Sequence, residues 1–99
     1  METPVIDFWF EVYMTHTDES TETVFSSEKL NKALEYAKGK ELKIDLWIID
    51  QTVKDLPVPV LAITEQTTFE EIKQTLLDSE NVTTDGMEEI IKKLLQQFL

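Results

Sequence analysis

His16 is the only histidine of the chain, and Asp18, Glu19 and Glu22 follow it closely. A histidine among carboxylates can act as a general base or as one arm of a metal site. The surrounding stretch, THTDES at 15–20, is polar and turn-like, and a lone loop histidine of this kind is read as solvated. A calcium loop needs oxygens at alternate positions and a glycine at the sixth. A zinc site needs more than one nitrogen or sulfur ligand. Neither pattern is present, so no metal is expected. A serine nucleophile would need His16 oriented from a turn, and no Gly-x-Ser-x-Gly elbow exists. Gly39 and Gly86 are the only glycines, too few for a phosphate-cradling loop. The chain has no cysteine, which excludes disulfides, thiolate metal sites and cysteine nucleophiles. Glu70-Glu71 and Glu88-Glu89 are paired carboxylates, but both pairs fall in first turns of predicted helices, where the helix dipole favours anions. The chain reads as a non-enzyme with no cofactor.

Charge is the strongest global signal. Twenty acidic residues oppose nine lysines, for a net charge of −11, and arginine is absent. Direct nucleic-acid binding needs a basic footprint and is disfavoured. Residues 1–28 hold seven acids and no lysine, a net of −7; residues 29–54 sum to +2 and residues 55–99 to −6. Two acidic segments thus flank a nearly balanced middle. Acidity serves solubility, and it also directs encounter with basic partners.

At 99 residues and 41% hydrophobic content the chain suits one domain with one core. The start, METPVIDF, has no basic n-region, so no signal peptide is expected. No apolar run approaches the roughly 20 residues of a membrane span. A cytoplasmic protein that does not engage membranes is expected. Asn81-Val82-Thr83 matches a glycosylation sequon, which carries no weight in that compartment.

The elements that would hold any functional residues follow from periodicity. Ile6, Phe8, Phe10, Val12 and Met14 alternate with Asp7, Trp9, Glu11 and Tyr13, so a strand near 5–14 puts the two sets on opposite faces. TETVF at 21–25 returns as the second strand of a hairpin. Ser26 or Ser27 is expected to cap a helix whose stripe is Leu30, Ala33, Leu34 and Ala37, with Gly39 at its C′ position. In ELKIDLWIID, at 41–50, Leu42, Ile44, Leu46 and Ile48 share one face of a third strand, and Lys43, Asp45, Trp47 and Ile49 the other. Residues 51–57 read as a loop. Val58–Thr64 reads as an edge strand, because Pro57 and Pro59 cannot donate to a ladder. Overlapping capping boxes, Thr67 with Glu70 and Thr68 with Glu71, open a helix with Phe69, Ile72, Leu76 and Leu77 on its stripe. A further box, Asp85 with Glu88, opens the most regular helix, with Met87, Ile90, Ile91, Leu94, Leu95 and Phe98 at helical spacing. This helix is expected to pack on the sheet, a homodimer through it being the alternative. The predicted fold is α+β: a small, mostly antiparallel sheet in β-β-α-β-(β)-α-α order with helices packed on it.

The minor faces of the first and third strands are unusual, because both mix charges with a tryptophan. Counting apolar faces leads to the expectation that one helix covers Val5, Trp9, Tyr13, Trp47 and Ile49 in part, with Asp7, Glu11, Lys43 and Asp45 at the rim. The alternative is an open acidic-aromatic surface, with the aromatics as desolvated anchors. On that alternative the partner-binding residues are Asp7, Trp9, Glu11 and Tyr13 on the strand and Asp18, Glu19 and Glu22 at the hairpin. The partner would be a basic protein, such as a nuclease or another nucleic-acid-binding protein, inhibited by contact with a nucleic-acid mimic. Size, acidity and lack of catalytic residues give a likeness of type to anti-CRISPR and anti-restriction proteins of phages and mobile elements, although no motif ties the chain to one family. An immunity- or antitoxin-like neutraliser and a homo-oligomeric structural module are the alternatives.

Overall fold

Alternation in two long strands sets the architecture. In a computed structural model, which describes residues 3–98, β1 spans Ile6–Thr15 and β2 spans Thr21–Ser27. The strand β3 spans Lys43–Asp50 and β4 spans Lys54–Ile63. The helices are α1 (Leu30–Ala37), α2 (Phe69–Leu77) and α3 (Thr84–Phe98). The four strands form one antiparallel sheet in the order β2-β1-β3-β4. Both β2 and β3 run antiparallel to β1, so they are parallel to each other and cannot be joined by a hairpin. The chain crosses β1 between them, and α1 is that crossover.

All three helices lie on one side. Phe8, Phe10 and Val12 of β1 and Ile44, Leu46 and Ile48 of β3 form a single buried cluster with Leu30 and Ala33 of α1, Ile72 and Leu76 of α2, and Ile90 and Leu94 of α3. Each helix therefore spends its apolar stripe on the same sheet face. This corrects the expectation that one helix covers the face of Trp9, Tyr13 and Trp47: none of the three has a stripe left for it. Those side chains, with Ile49, stay outside the core cluster and only partly buried.

The differences from the sequence reading lie at the ends of elements. Ser26 and Ser27 belong to β2 rather than to a helix cap, and the N-cap of α1 is Lys29, which makes no capping side-chain bond. The orphan donors there are met otherwise. Ser27 Oγ accepts from Lys29 N–H at 3.1 Å, and Gln97 Oε1 of α3 accepts from Leu30 N–H at 2.7 Å. Gln97 Nε2 also donates to the Glu28 carbonyl at 2.9 Å, so the end of α3 clamps the start of α1. Gly39 follows the C-cap Lys38 with φ +73, the left-handed value that ends many helices. Residues 54–57 are strand rather than loop: Gln51–Val53 suffice to turn the chain, and Lys54 already pairs with Asp50. Pro57 and Pro59 do lie on the edge strand, where the register shifts twice.

Of the two overlapping boxes, Thr68 is the N-cap of α2 and accepts from Glu71 N–H at 3.2 Å, whereas Thr67 Oγ1 takes Thr64 N–H at 2.8 Å. Leu77 and Leu95, assigned to apolar stripes, are 46% and 40% exposed. Asp85 is not a cap. It sits in the first turn of α3, and Thr83 Oγ1 accepts from Gly86 N–H at 3.0 Å in its place. Thr83 is in turn held by Asp50, the one buried charged residue among those described, whose Oδ2 accepts from both Thr83 N–H and Thr83 Oγ1–H at 2.8 Å.

Candidate partner-binding face

Register builds the open face row by row. Trp9 stands directly opposite Trp47, and Trp47 opposite Pro59, so an apolar row crosses three strands. On one side Glu11 stands opposite Asp45, and Asp45 opposite Ala62. On the other Asp7 stands opposite Ile49. Beyond the carboxylate row Tyr13 faces Lys43 on β3 and Thr23 on β2. A slip of one residue in β1 or in β3 would send that strand's side chains of this face into the core.

Hydrogen bonds fix the acidic row. Trp9 Nε1–H donates to Glu11 Oε2 at 2.9 Å, and Thr23 Oγ1–H donates to Glu11 Oε1 at 2.9 Å. Asp7 Oδ1 accepts from Phe8 N–H at 2.8 Å. Partial burial pushes the Asp45 carboxyl above its usual range; the Tyr13 hydroxyl works against this, the Glu11 charge adds to it, and Lys43 opposes it. Tyr13 is raised as well, first by partial burial and then by the charge and hydrogen bonding of Asp45. Among the described residues the ion pairs are His16–Glu22 at 3.6 Å and Lys93–Glu89 at 3.7 Å. Among the described residues no cation lies within ion-pair distance of the carboxylates of this face.

The seven residues expected to bind a partner separate into two groups. Asp7, Trp9, Glu11 and Tyr13 come together on the open face. Glu22 stands opposite Met14, on the helix side of the sheet, and reaches His16. Asp18 and Glu19 are exposed at the hairpin tip. Asp18 has a local task there: its Oδ1 accepts from Ser20 N–H at 3.0 Å and from the Ser20 hydroxyl at 2.6 Å, and these bonds hold its carboxyl below the usual range. Glu19 takes φ 69, a left-handed value that closes the turn. Asp45, Trp47, Pro59 and Thr23 join the site without having been assigned to it. The mixed minor face of β3 signalled the first two, but only register shows that Trp47 meets Trp9.

Other features offer less. A groove of about 930 Å³ lies between the start of β1, the start of α1 and the end of α3. Its lysines, Lys29, Lys32 and Lys93, are mixed with Asp7 and Glu28, and no nucleophile–base pair lines it. No group of three or more His, Cys, Asp or Glu side chains that could hold a metal occurs among the described residues. No helix among them is long and apolar enough to cross a membrane. No protein-family model matches the chain, and neither a curated protein nor a solved structure matches it significantly.

Proposed function

We propose that this chain is a non-catalytic, acidic binding protein that inhibits a basic, nucleic-acid-binding partner by docking the open sheet face on it. The observation that supports this reading is the uncovered face itself: a tryptophan row bordered by Asp7, Glu11 and Asp45, with no helix over it. Tryptophan and tyrosine bury much area at low entropic cost and so make good anchors. Surrounding carboxylates steer a positive surface inward and suppress negative competitors. With its net charge of −11 the protein would present acids where a basic partner expects phosphates. Asp18 and Glu19 at the hairpin tip extend the acidic rim rather than form its centre, whereas Glu22 lies on the helix side of the sheet. The nearest type of activity is that of the anti-CRISPR and anti-restriction antagonists of nucleases.

The test uses purified nucleases with basic nucleic-acid channels, an RNA-guided nuclease among them, and measures competition with their nucleic acid across a salt series. Wild-type protein should displace nucleic acid from its target, more strongly at low salt. The double variant Asp7→Lys/Glu11→Lys, with net charge reduced to −7, should associate several-fold more slowly while remaining folded. Equal action of both forms, flat in salt, would reject the reading and favour a structural module.

A further inference from the structure

The aromatic row and the carboxylate row are adjacent, and together they specify more than positive charge. We infer that the open face is a seat for an arginine side chain of the partner, its guanidinium lying on the Trp9–Trp47 row and its N–H fork on Glu11 and Asp45. The inference rests on the proposed docking of a basic partner and names the group that makes it.

Three features carry it. Glu11 and Asp45 stand directly opposite each other on neighbouring strands, a placement that brings side chains within about 5 Å and is unfavourable for like charges. Lys43 attracts Asp45 only from beyond ion-pair distance, and the two ion pairs of the described residues lie elsewhere. The Glu11 carboxylate is also already oriented by Trp9 and Thr23, so accepting a donor costs it little further ordering. Next to this row lie two indoles and a proline, partly buried or exposed and outside the core. A planar guanidinium can both stack on an indole and fork to carboxylates, whereas an ammonium offers a point charge without a plane. The site therefore discriminates between two cations of equal charge. The chain has no arginine of its own, so a second copy could not fill the seat.

Both tryptophans of the chain are on this face, so intrinsic fluorescence reads the site directly. Full-length protein would be titrated with blocked tetra-arginine and tetra-lysine peptides at one ionic strength, with circular dichroism confirming the fold of each variant. Tetra-arginine should change the emission and bind about three- to ten-fold more tightly than tetra-lysine, the factor that stacking and bidentate bonding supply. Glu11→Gln and Asp45→Asn should each bring the arginine peptide toward the lysine value. Glu22→Gln, on the helix side of the sheet, should leave the preference intact. Equal affinities, an arginine preference untouched by both amide variants, or no response to either peptide would overturn the inference. Equal affinities that are both lost in Asp7→Lys/Glu11→Lys would do so while leaving charge-directed docking intact. Arginine-selective binding without competition at any nuclease would support the seat and count against the inhibitor reading alone.

Discussion

Asp50→Asn is the substitution that tests the packing argument most sharply. Asp50 is 1% exposed at the end of β3, where one carboxylate serves two turns. Its Oδ1 accepts from Thr52 N–H at 2.9 Å in the β3–β4 turn, and its Oδ2 takes both donors of Thr83 at the start of α3. Asparagine has the same shape but only one accepting oxygen. Whichever way the amide is turned, its NH₂ faces a backbone N–H, of Thr52 or of Thr83, and that donor loses its partner. A partly buried donor left unsatisfied costs up to about 1–3 kcal/mol. A central value of about 2 kcal/mol lowers Tm by roughly 8–16 °C for a domain of this size.

The pH dependence has a definite sign. Burial alone would raise the Asp50 pKa, but the bonds from Thr83 and Thr52 together outweigh it and hold the carboxyl below its usual value. Its stabilising contribution is therefore fully present above the unfolded value of about 4 and is lost as pH falls through the lower folded value. Urea unfolding of wild type and Asp50→Asn, followed by circular dichroism at pH 7 and near pH 2.5, gives the comparison. The gap should be near 2 kcal/mol at pH 7 and shrink in acid, where wild-type Asp50 also becomes protonated. A gap below about 0.5 kcal/mol at neutral pH, or one of equal size at both, would refute the reasoning.

Gly86→Ala should destabilise by about 1–3 kcal/mol in urea melts, as overpacking does, although alanine usually improves a helix: a Cβ there would lie 2.5 Å from Asp50 Oδ2. Asp45→Asn should raise stability slightly, by about 0.2–1 kcal/mol, because it removes a like charge opposite Glu11; thermal melts at pH 7 check this, and a clear loss would mean the carboxylate is held by attraction instead. Phe8→Ala should cost about 3–5 kcal/mol, since Phe8 is 4% exposed in the central strand. Deleting residues 87–99 removes the buried Ile90 and Leu94 and the Gln97 clamp, so a truncated chain should lose its cooperative thermal transition.

Strict alternation in β1 and β3 determined the core from sequence alone, because in a strand the side-chain period is two and only one face was wholly apolar. Element order, the edge position of the proline strand and the Gly39 helix end were legible for the same reason: each depends on residues within one turn or one strand, and the overlapping boxes narrowed the α2 cap to Thr67 or Thr68. What needed the tertiary structure involved partners far apart in the chain. The caps of α1 and α3 come from Gln97 and from Thr83 backed by Asp50, across 67 and 33 residues respectively, and no local pattern encodes such a bond. The same holds for the candidate site. Trp9, Glu11, Trp47 and Asp45 are visible as odd residues on two strands, but their meeting depends on β1–β3 register. That their face lies open depends on where three helices spend their apolar stripes. An amphipathic helix states that it must cover something; which side of the sheet it covers is settled only when all three share one core.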